Sequence, residues 1–160
     1  MNIAIIVHSL SGNTLKFADS LFNKLTSQGH VVNLTQLETT VPLKSGSVHQ
    51  KLEINFTNLP KIDEAELVLF GGPVWAFGPS PVIIAAMQQI GNLKGKKALS
   101  FATMGFFCAW MGGNAAIAWM NRTAGTLGAK VLPGSICYQM RGKLDAQIAA
   151  ETERIAQLIK

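Results

Sequence analysis

Short, uninterrupted apolar runs alternate with segments of helical periodicity along the length of this chain. That alternation constrains the fold before composition is weighed. Residues 3–7 form the first run, rich in isoleucine, and fit a strand buried on both faces. Over residues 14–27, Leu15, Ala18, Leu21, Phe22 and Leu25 recur at helical spacing, and Gly29 closes the segment as a C-cap. Residues 30–37 return to strand character. Residues 38–61 are polar and irregular, with Pro42, Gly46 and Pro60, and read as a long connection holding one short extended piece at 52–56. Residues 66–70 are the third strand, stopped by Gly71-Gly72-Pro73. Ser80 and Pro81 then supply an N-cap and a first helical proline, followed by a stripe of Ile83, Ala86, Met87 and Ile90. Residues 98–103 make a fourth strand and 114–127 an alanine-rich helix. Residues 130–132 and 134–138 form a fifth strand broken at Pro133. Residues 144–158 form a closing helix with Leu144, Ile148, Ile155 and Leu158 inward.

Strand and helix in strict alternation predict an α/β fold. We expect three layers: a five-stranded parallel sheet in the order 2-1-3-4-5, with helices on both faces. A chain of 160 residues suits a single domain spanning 1–160. Hydrophobic residues reach 48% and charged ones only 14%, as expected for strands covered on both sides rather than for disorder. No run approaches the roughly 18 apolar residues that would span a bilayer. The opening MNIAIIVHS lacks a basic leader and reads as a buried strand rather than a signal peptide. Two cysteines, Cys108 and Cys137, fit a cytoplasmic protein that keeps them reduced, and the dispersed His8, His30 and His49 offer no metal-binding spacing. The net charge of +5 is scattered rather than gathered into a basic stripe with aromatics, so nucleic acid is not an expected partner.

Ligands in such sheets sit beyond the carboxyl ends of the strands, which directs attention to three loops. After the first strand, Ser9-Leu10-Ser11-Gly12-Asn13-Thr14 runs directly into a helix. Hydroxyls, a glycine and an amide around a helix N-terminus suit a monophosphate, and neither a P-loop nor a dinucleotide glycine turn is present. The plainer alternative is an N-cap without a ligand. After the third strand, Pro73-Val74-Trp75-Ala76-Phe77-Gly78 places two aromatics where a flat ring would stack, unless one of them folds back into the core. The loop after the fourth strand, Thr103-Met104-Gly105-Phe106-Phe107-Cys108, continues apolar to Trp110. It would wrap the other side of that ring or else form a partner-facing patch, with a homodimer as one outcome. Cys108 and His8 read as structural residues.

Ser9-x-Ser11-Gly12-Asn13-Thr14 resembles the [ST]-x-[ST]-G-[NT]-T phosphate loop of the flavodoxin family. Gly72-Pro73-Val74-Trp75-Ala76 followed by Gly78-Pro79-Ser80-Pro81 is similar to the second flavin loop of its broader members. Leu93-Lys94-Gly95-Lys96-Lys97 resembles the usual approach to its fourth strand. The resemblance implies a flavodoxin-like fold binding flavin mononucleotide (FMN). It places Ser9, Ser11, Gly12, Asn13 and Thr14 on the phosphate, and Pro73, Val74, Trp75, Ala76, Phe77, Gly78, Thr103, Met104, Gly105, Phe106 and Phe107 around the isoalloxazine. The first functional expectation is an electron-transport flavoprotein that exchanges electrons with a redox partner protein. The alternative is an oxidoreductase, an NAD(P)H-dependent FMN-containing reductase of a quinone or flavin. A cofactor-free binding or scaffold module is a third class. One departure matters: no Asp or Glu occurs between Leu67 and Leu144, whereas short electron-carrier flavodoxins are acidic around their flavin. The chain should therefore hold reduced FMN at a less negative potential.

Overall fold

A computed structural model of the chain describes residues 1–44, 53–106, 108–140 and 142–160. The elements run β1 (Asn2–Val7), α1 (Asn13–Ser27), β2 (Val31–Gln36), β3 (Leu67–Trp75), β4 (Gly78–Pro79), α2 (Pro81–Ile90), β5 (Lys97–Met104), a short 3₁₀ turn (Ala109–Met111), α3 (Gly113–Thr126), β6 (Lys130–Tyr138) and α4 (Leu144–Leu158). The sheet order is β2-β1-β3-β5-β6, all parallel, with two-residue β4 returning antiparallel onto the end of β3. Leaving out β4, this is the expected five-stranded order.

The continuous apolar runs are explained by the two faces of the sheet. Side chains alternate across a strand. Ile3, Ile5, Leu67, Leu69, Leu99 and Phe101 pack with Phe17, Leu21 and Leu25 of α1 and Ile148 and Ile155 of α4. Ala4, Ile6, Val68, Phe70 and Ala98 pack with Val82, Ile83 and Met87 of α2 and Met120 of α3. Phe17 meets Phe101 edge-on, their centroids 5.0 Å apart.

Two sequence expectations are corrected. Strand β3 does not stop at Gly71-Gly72-Pro73 but continues through them, pairing Gly71, Gly72 and Pro73 with Phe101, Ala102 and Thr103. Pro73 turns its carbonyl to the Ser80 N–H at 3.0 Å, on the side away from β5, so its missing N–H costs no bond to β5. Strand β6 likewise runs through Pro133. Leu132 pairs with Leu99 and Ser135 with Phe101, so two residues oppose Ser100 and the proline sits in a bulge rather than a break. In the long connection, Thr39 bridges Phe56; Leu52 and the rest of residues 45–52 lie outside the described residues.

The chain leaves β1 in one direction to form β2 and in the other to form β3. The loops after β1, β3 and β5 therefore gather at the carboxyl edge around that divergence, where open α/β sheets receive ligands.

Candidate functional site

Helix α1 begins without a side-chain cap. Gly12 takes the N-cap position at φ +89°, a left-handed conformation that glycine adopts at little cost. Ser9 is buried, and its hydroxyl accepts the Gly12 N–H at 3.2 Å, folding the loop back so that Leu10 and Ser11 stand exposed. Asn13 donates its amide to the Ser11 hydroxyl at 3.4 Å. The first intrahelical bond is Lys16 N–H to Gly12 C=O, so the N–H groups of Asn13, Thr14 and Leu15 meet no acceptor among the described residues. With no acidic side chain in the first turn, the positive end of the helix dipole is left open. Thr14 is placed differently from its neighbours: it is buried, and its hydroxyl lies 2.7 Å from that of Thr103 on β5, so the two tie the loop to the sheet.

After β3 the chain makes a tight two-residue hairpin turn through Ala76 (φ +44°) and Phe77 (φ +66°) into Gly78. Two-residue hairpins favour such turns because their twist matches the strands, although glycine or asparagine is the usual occupant. The sequence reading has a loop here and not a hairpin: Ala76-Phe77 is not a turn-forming pair, and the flanking residues do not alternate. Trp75 turns inward and is nearly buried. Phe77 is 63% exposed.

His8 holds Trp75 in place. The rings meet edge-on, centroids 5.2 Å apart at 80°. The His8 Nδ1 lies 2.8 Å from the Ser80 hydroxyl, which also accepts the Ile83 N–H and so caps α2. Ser80 is fully buried, and the two groups share one hydrogen bond across this contact. Burial lowers the His8 pKa to about 4, which keeps the ring neutral at physiological pH.

After β5, Met104 is buried while Gly105 and Phe106 are exposed. The Phe106 ring lies parallel to that of Phe77, centroids 6.4 Å apart at 4°. Phe107 lies outside the described residues. Trp110 is largely exposed. Gly112, at φ +111°, comes so near Phe77 that an added Cβ would stand 2.5 Å from its Cα; the 3₁₀ segment thus buttresses the hairpin tip. Of the cysteines, Cys137 is buried within β6 and its thiol is pushed up to about 12, first by burial and then by the charge of Glu151, which makes it chemically inert.

These loops enclose an open cavity of about 550 Å³. Ser11, Pro73, Val74, Trp75, Thr103, Met104 and Gly105 line it, all anticipated from sequence. Leu10, Leu43, Lys44 and Gln139 line it as well and were not anticipated. Leu10 occupies the variable position of the first motif, and Gln139 follows the last strand at the same edge. Lys44 comes from the long connection, where nothing in sequence marks it. Ser9, Gly12, Asn13, Thr14, Ala76, Phe77, Gly78 and Phe106, also expected from sequence, are not among the lining residues.

Sheet order and loop placement define the flavodoxin-like class of α/β proteins. The chain belongs to the NADPH-dependent FMN reductase family, whose model matches residues 1–139. FMN is accordingly the flavin it binds. No curated protein matches the sequence. Among solved structures, a flavoprotein candidate from Bacteroides uniformis is similar at TM-score 0.68 and 16% identity, covering 95% of this chain and 97% of that one. Oxidised flavodoxin 1 from Bacillus cereus is similar at TM-score 0.64 and 19% identity, covering 96% and 98%. A candidate quinone reductase from Klebsiella pneumoniae is similar at TM-score 0.65 and 15% identity, covering 99% of this chain and 83% of that one. At such identities these likenesses establish the fold.

Proposed function

We propose that this chain, as a single domain, is an NAD(P)H-dependent reductase that uses FMN to reduce a small planar acceptor, a quinone or a flavin. The observation carrying this reading is the surface presented beside the cavity: Phe77 and Phe106 expose parallel rings, and the loops after β1, β3 and β5 contain no carboxylate. A carrier docking basic partners would gain from acidic charge there; a flat organic substrate would gain from apolar surface. The family match also favours the reductase over the electron carrier, reversing the order that sequence alone supported.

The residues fit FMN. The three unpaired N–H groups of Asn13, Thr14 and Leu15, with the exposed Ser11 hydroxyl, would hold the terminal phosphate, as helix N-termini do. A cavity of about 550 Å³ falls within the common range of cofactor sites, about 300–1,000 Å³. Trp75, Thr103, Met104 and Gly105 would flank the ring. Bound FMN supplies the hydride and electron chemistry. The chain would supply the phosphate cradle and an aromatic wall at Trp75, braced by the edge-on His8 ring and its contact with Ser80. No side-chain acid or base is required. Two unpaired cysteines fit a reducing, cytoplasmic compartment.

Anaerobic addition of NADPH or NADH to FMN-loaded protein tests the reading. Rapid bleaching of the flavin bands is expected. A spectrum that pyridine nucleotides leave unchanged but dithionite bleaches would instead assign the chain as a carrier.

A further inference from the structure

Five large apolar side chains stand exposed around the β3–β4 hairpin and the loops after β5 and β6: Phe77, Phe106, Trp110, Trp119 and Met140. Contacts between their segments bring them together. The Phe77 and Phe106 rings are parallel, 6.4 Å apart. Gly112, two residues past Trp110, closes on the Phe77 backbone, and the Trp119 ring lies 3.9 Å from where a Cβ would stand on Gly78. The Met140 N–H donates to the Gly105 carbonyl at 3.0 Å, which brings Met140 to the residue before Phe106. Trp110 is the barest of the five, 77% exposed. Single exposed apolar residues are ordinary, but a contiguous group of this kind marks an interaction surface.

Charge points to the occupant. Arg122 follows Trp119 by three residues on the same side of α3, and Lys143 follows Met140 by three. Both are exposed, and neither has an acidic partner among the described residues. No Asp or Glu occurs from Leu67 to Leu144. The next carboxylate along the chain, Asp145, is held by Lys16 at 3.0 Å, and Glu38 follows β2, on the far side of β1 from β3. A second copy docked about a twofold axis would set these cations on a surface with no carboxylate to receive them. An anionic occupant fits instead. The apolar side chains stand on five separate segments, and a bilayer accepts such tips without a matching shape. Aromatic rings settle at headgroup level while cations meet anionic lipids. Among the described residues no helix is long and apolar enough to cross a membrane, so the contact is one of surface. We propose that this face docks on an anionic lipid surface, with Phe77, Phe106 and Trp110 entering the headgroup region and Arg122 and Lys143 meeting the lipid charge. Trp75 and Gly105 line the cavity and lie two residues before Phe77 and one before Phe106, so docking sets the cavity close to the bilayer. On the reductase reading, a quinone dissolved in that bilayer becomes the acceptor.

Co-sedimentation of the FMN-loaded protein with vesicles tests this, using phosphatidylcholine alone and an equal mixture of phosphatidylcholine and phosphatidylserine. The wild type should bind the mixed vesicles at least about tenfold more tightly, and high salt should erase that preference by screening the surface potential. Arg122→Gln combined with Lys143→Gln should remove most of the preference, each cation contributing about fivefold. Trp110→Ser should weaken binding to both vesicles by about tenfold, through the lost burial of its ring. FMN affinity should be unchanged in both variants, which reports that they fold. Absence of binding to the mixed vesicles would overturn the proposal. So would binding that neither variant weakens, which would assign it to another basic face, such as that of Lys97 and Lys130 at the starts of β5 and β6. A dimer in light scattering that Trp110→Ser dissociates would overturn it too, giving the face to a second copy. Vesicle binding is read without pyridine nucleotide. Binding without NADPH bleaching would therefore retire the reductase reading alone, and bleaching without binding would retire the docking face alone.

Discussion

His8 shows how a single residue links packing to pH. It is 4% exposed, shares a hydrogen bond between Nδ1 and the Ser80 hydroxyl, and stands edge-on to Trp75, the aromatic wall of the cavity. Its pKa is lowered from 6.5 to about 4, so the folded chain refuses a proton that the unfolded chain accepts. The stability contributed by the neutral ring is complete above about pH 6.5 and is lost as pH falls towards 4. The loss is at most about 3 kcal/mol on the scale of 1.36 kcal/mol per pKa unit. Denaturant unfolding at a series of pH values should show this decline in the wild type and a shallower one in His8→Gln. Parallel pH profiles would show that His8 does not titrate with unfolding. In sequence His8 reads simply as a strand-end packing residue. Its partner Ser80 lies 72 positions away, and only the β1–β3 pairing brings the two together.

Among the elements, the β3–β4 hairpin does most to shape the site and was least legible in sequence. Gly71-Gly72-Pro73 reads as a strand terminator because glycine and proline usually are one. Here β3 is flanked by β1 and β5, and that pairing outweighs local preference. The hairpin tip carries two non-glycine residues at positive φ, each costing on the order of 1–3 kcal/mol, a strain that tends to collect at functional positions. The tip is held by the 3₁₀ segment, where Gly112 combines φ +111° with an approach that leaves no room for a Cβ. Gly112→Ala should therefore destabilise the protein by about 2 kcal/mol or more and weaken FMN retention. Gly105→Ala, whose Cβ would meet nothing within 4 Å, should leave stability within about 0.5 kcal/mol. Thermal unfolding of the two variants checks this; equal effects would mean that the 3₁₀ buttress does not support the tip. The uncapped start of α1 after Ser9-Leu10-Ser11-Gly12, by contrast, was legible as a local feature, because a strand end, a glycine and hydroxyls preceding a helical stripe are contiguous in sequence. Only Thr14 departs, its hydroxyl being engaged by Thr103 across the fold.

At the scale of the whole molecule, the five-strand order followed directly from the alternation of apolar runs and helical stripes. Lys44 and Gln139 did not follow, because their place at the cavity depends on how distant segments meet. Charge distribution, also visible in sequence, bears on the flavin. All nine acidic residues lie outside the span from Leu67 to Leu144, and the net charge is +5. Two like charges 8 Å apart at an effective dielectric constant near 20 repel by about 2 kcal/mol, so each carboxylate missing near the ring makes reduction easier by an amount of that order. Spectroelectrochemistry should place full reduction of the bound FMN at a less negative potential than in an acidic flavodoxin measured alongside. An equal or more negative value would refute the electrostatic argument.

The central claim is that this chain holds FMN at the carboxyl edge of its sheet by binding the phosphate at the N-terminus of α1. The most direct measurement compares the dissociation constants of FMN and riboflavin, which differ only in that phosphate, for the wild type and for Ser11→Glu. The account predicts that the wild type binds FMN at least about a hundredfold more tightly than riboflavin, from two or more charge-assisted hydrogen bonds. Ser11→Glu, which sets a like charge beside the phosphate, should remove most of that difference and leave riboflavin binding unchanged. Equal affinities in the wild type, or an FMN preference untouched by Ser11→Glu, would contradict it.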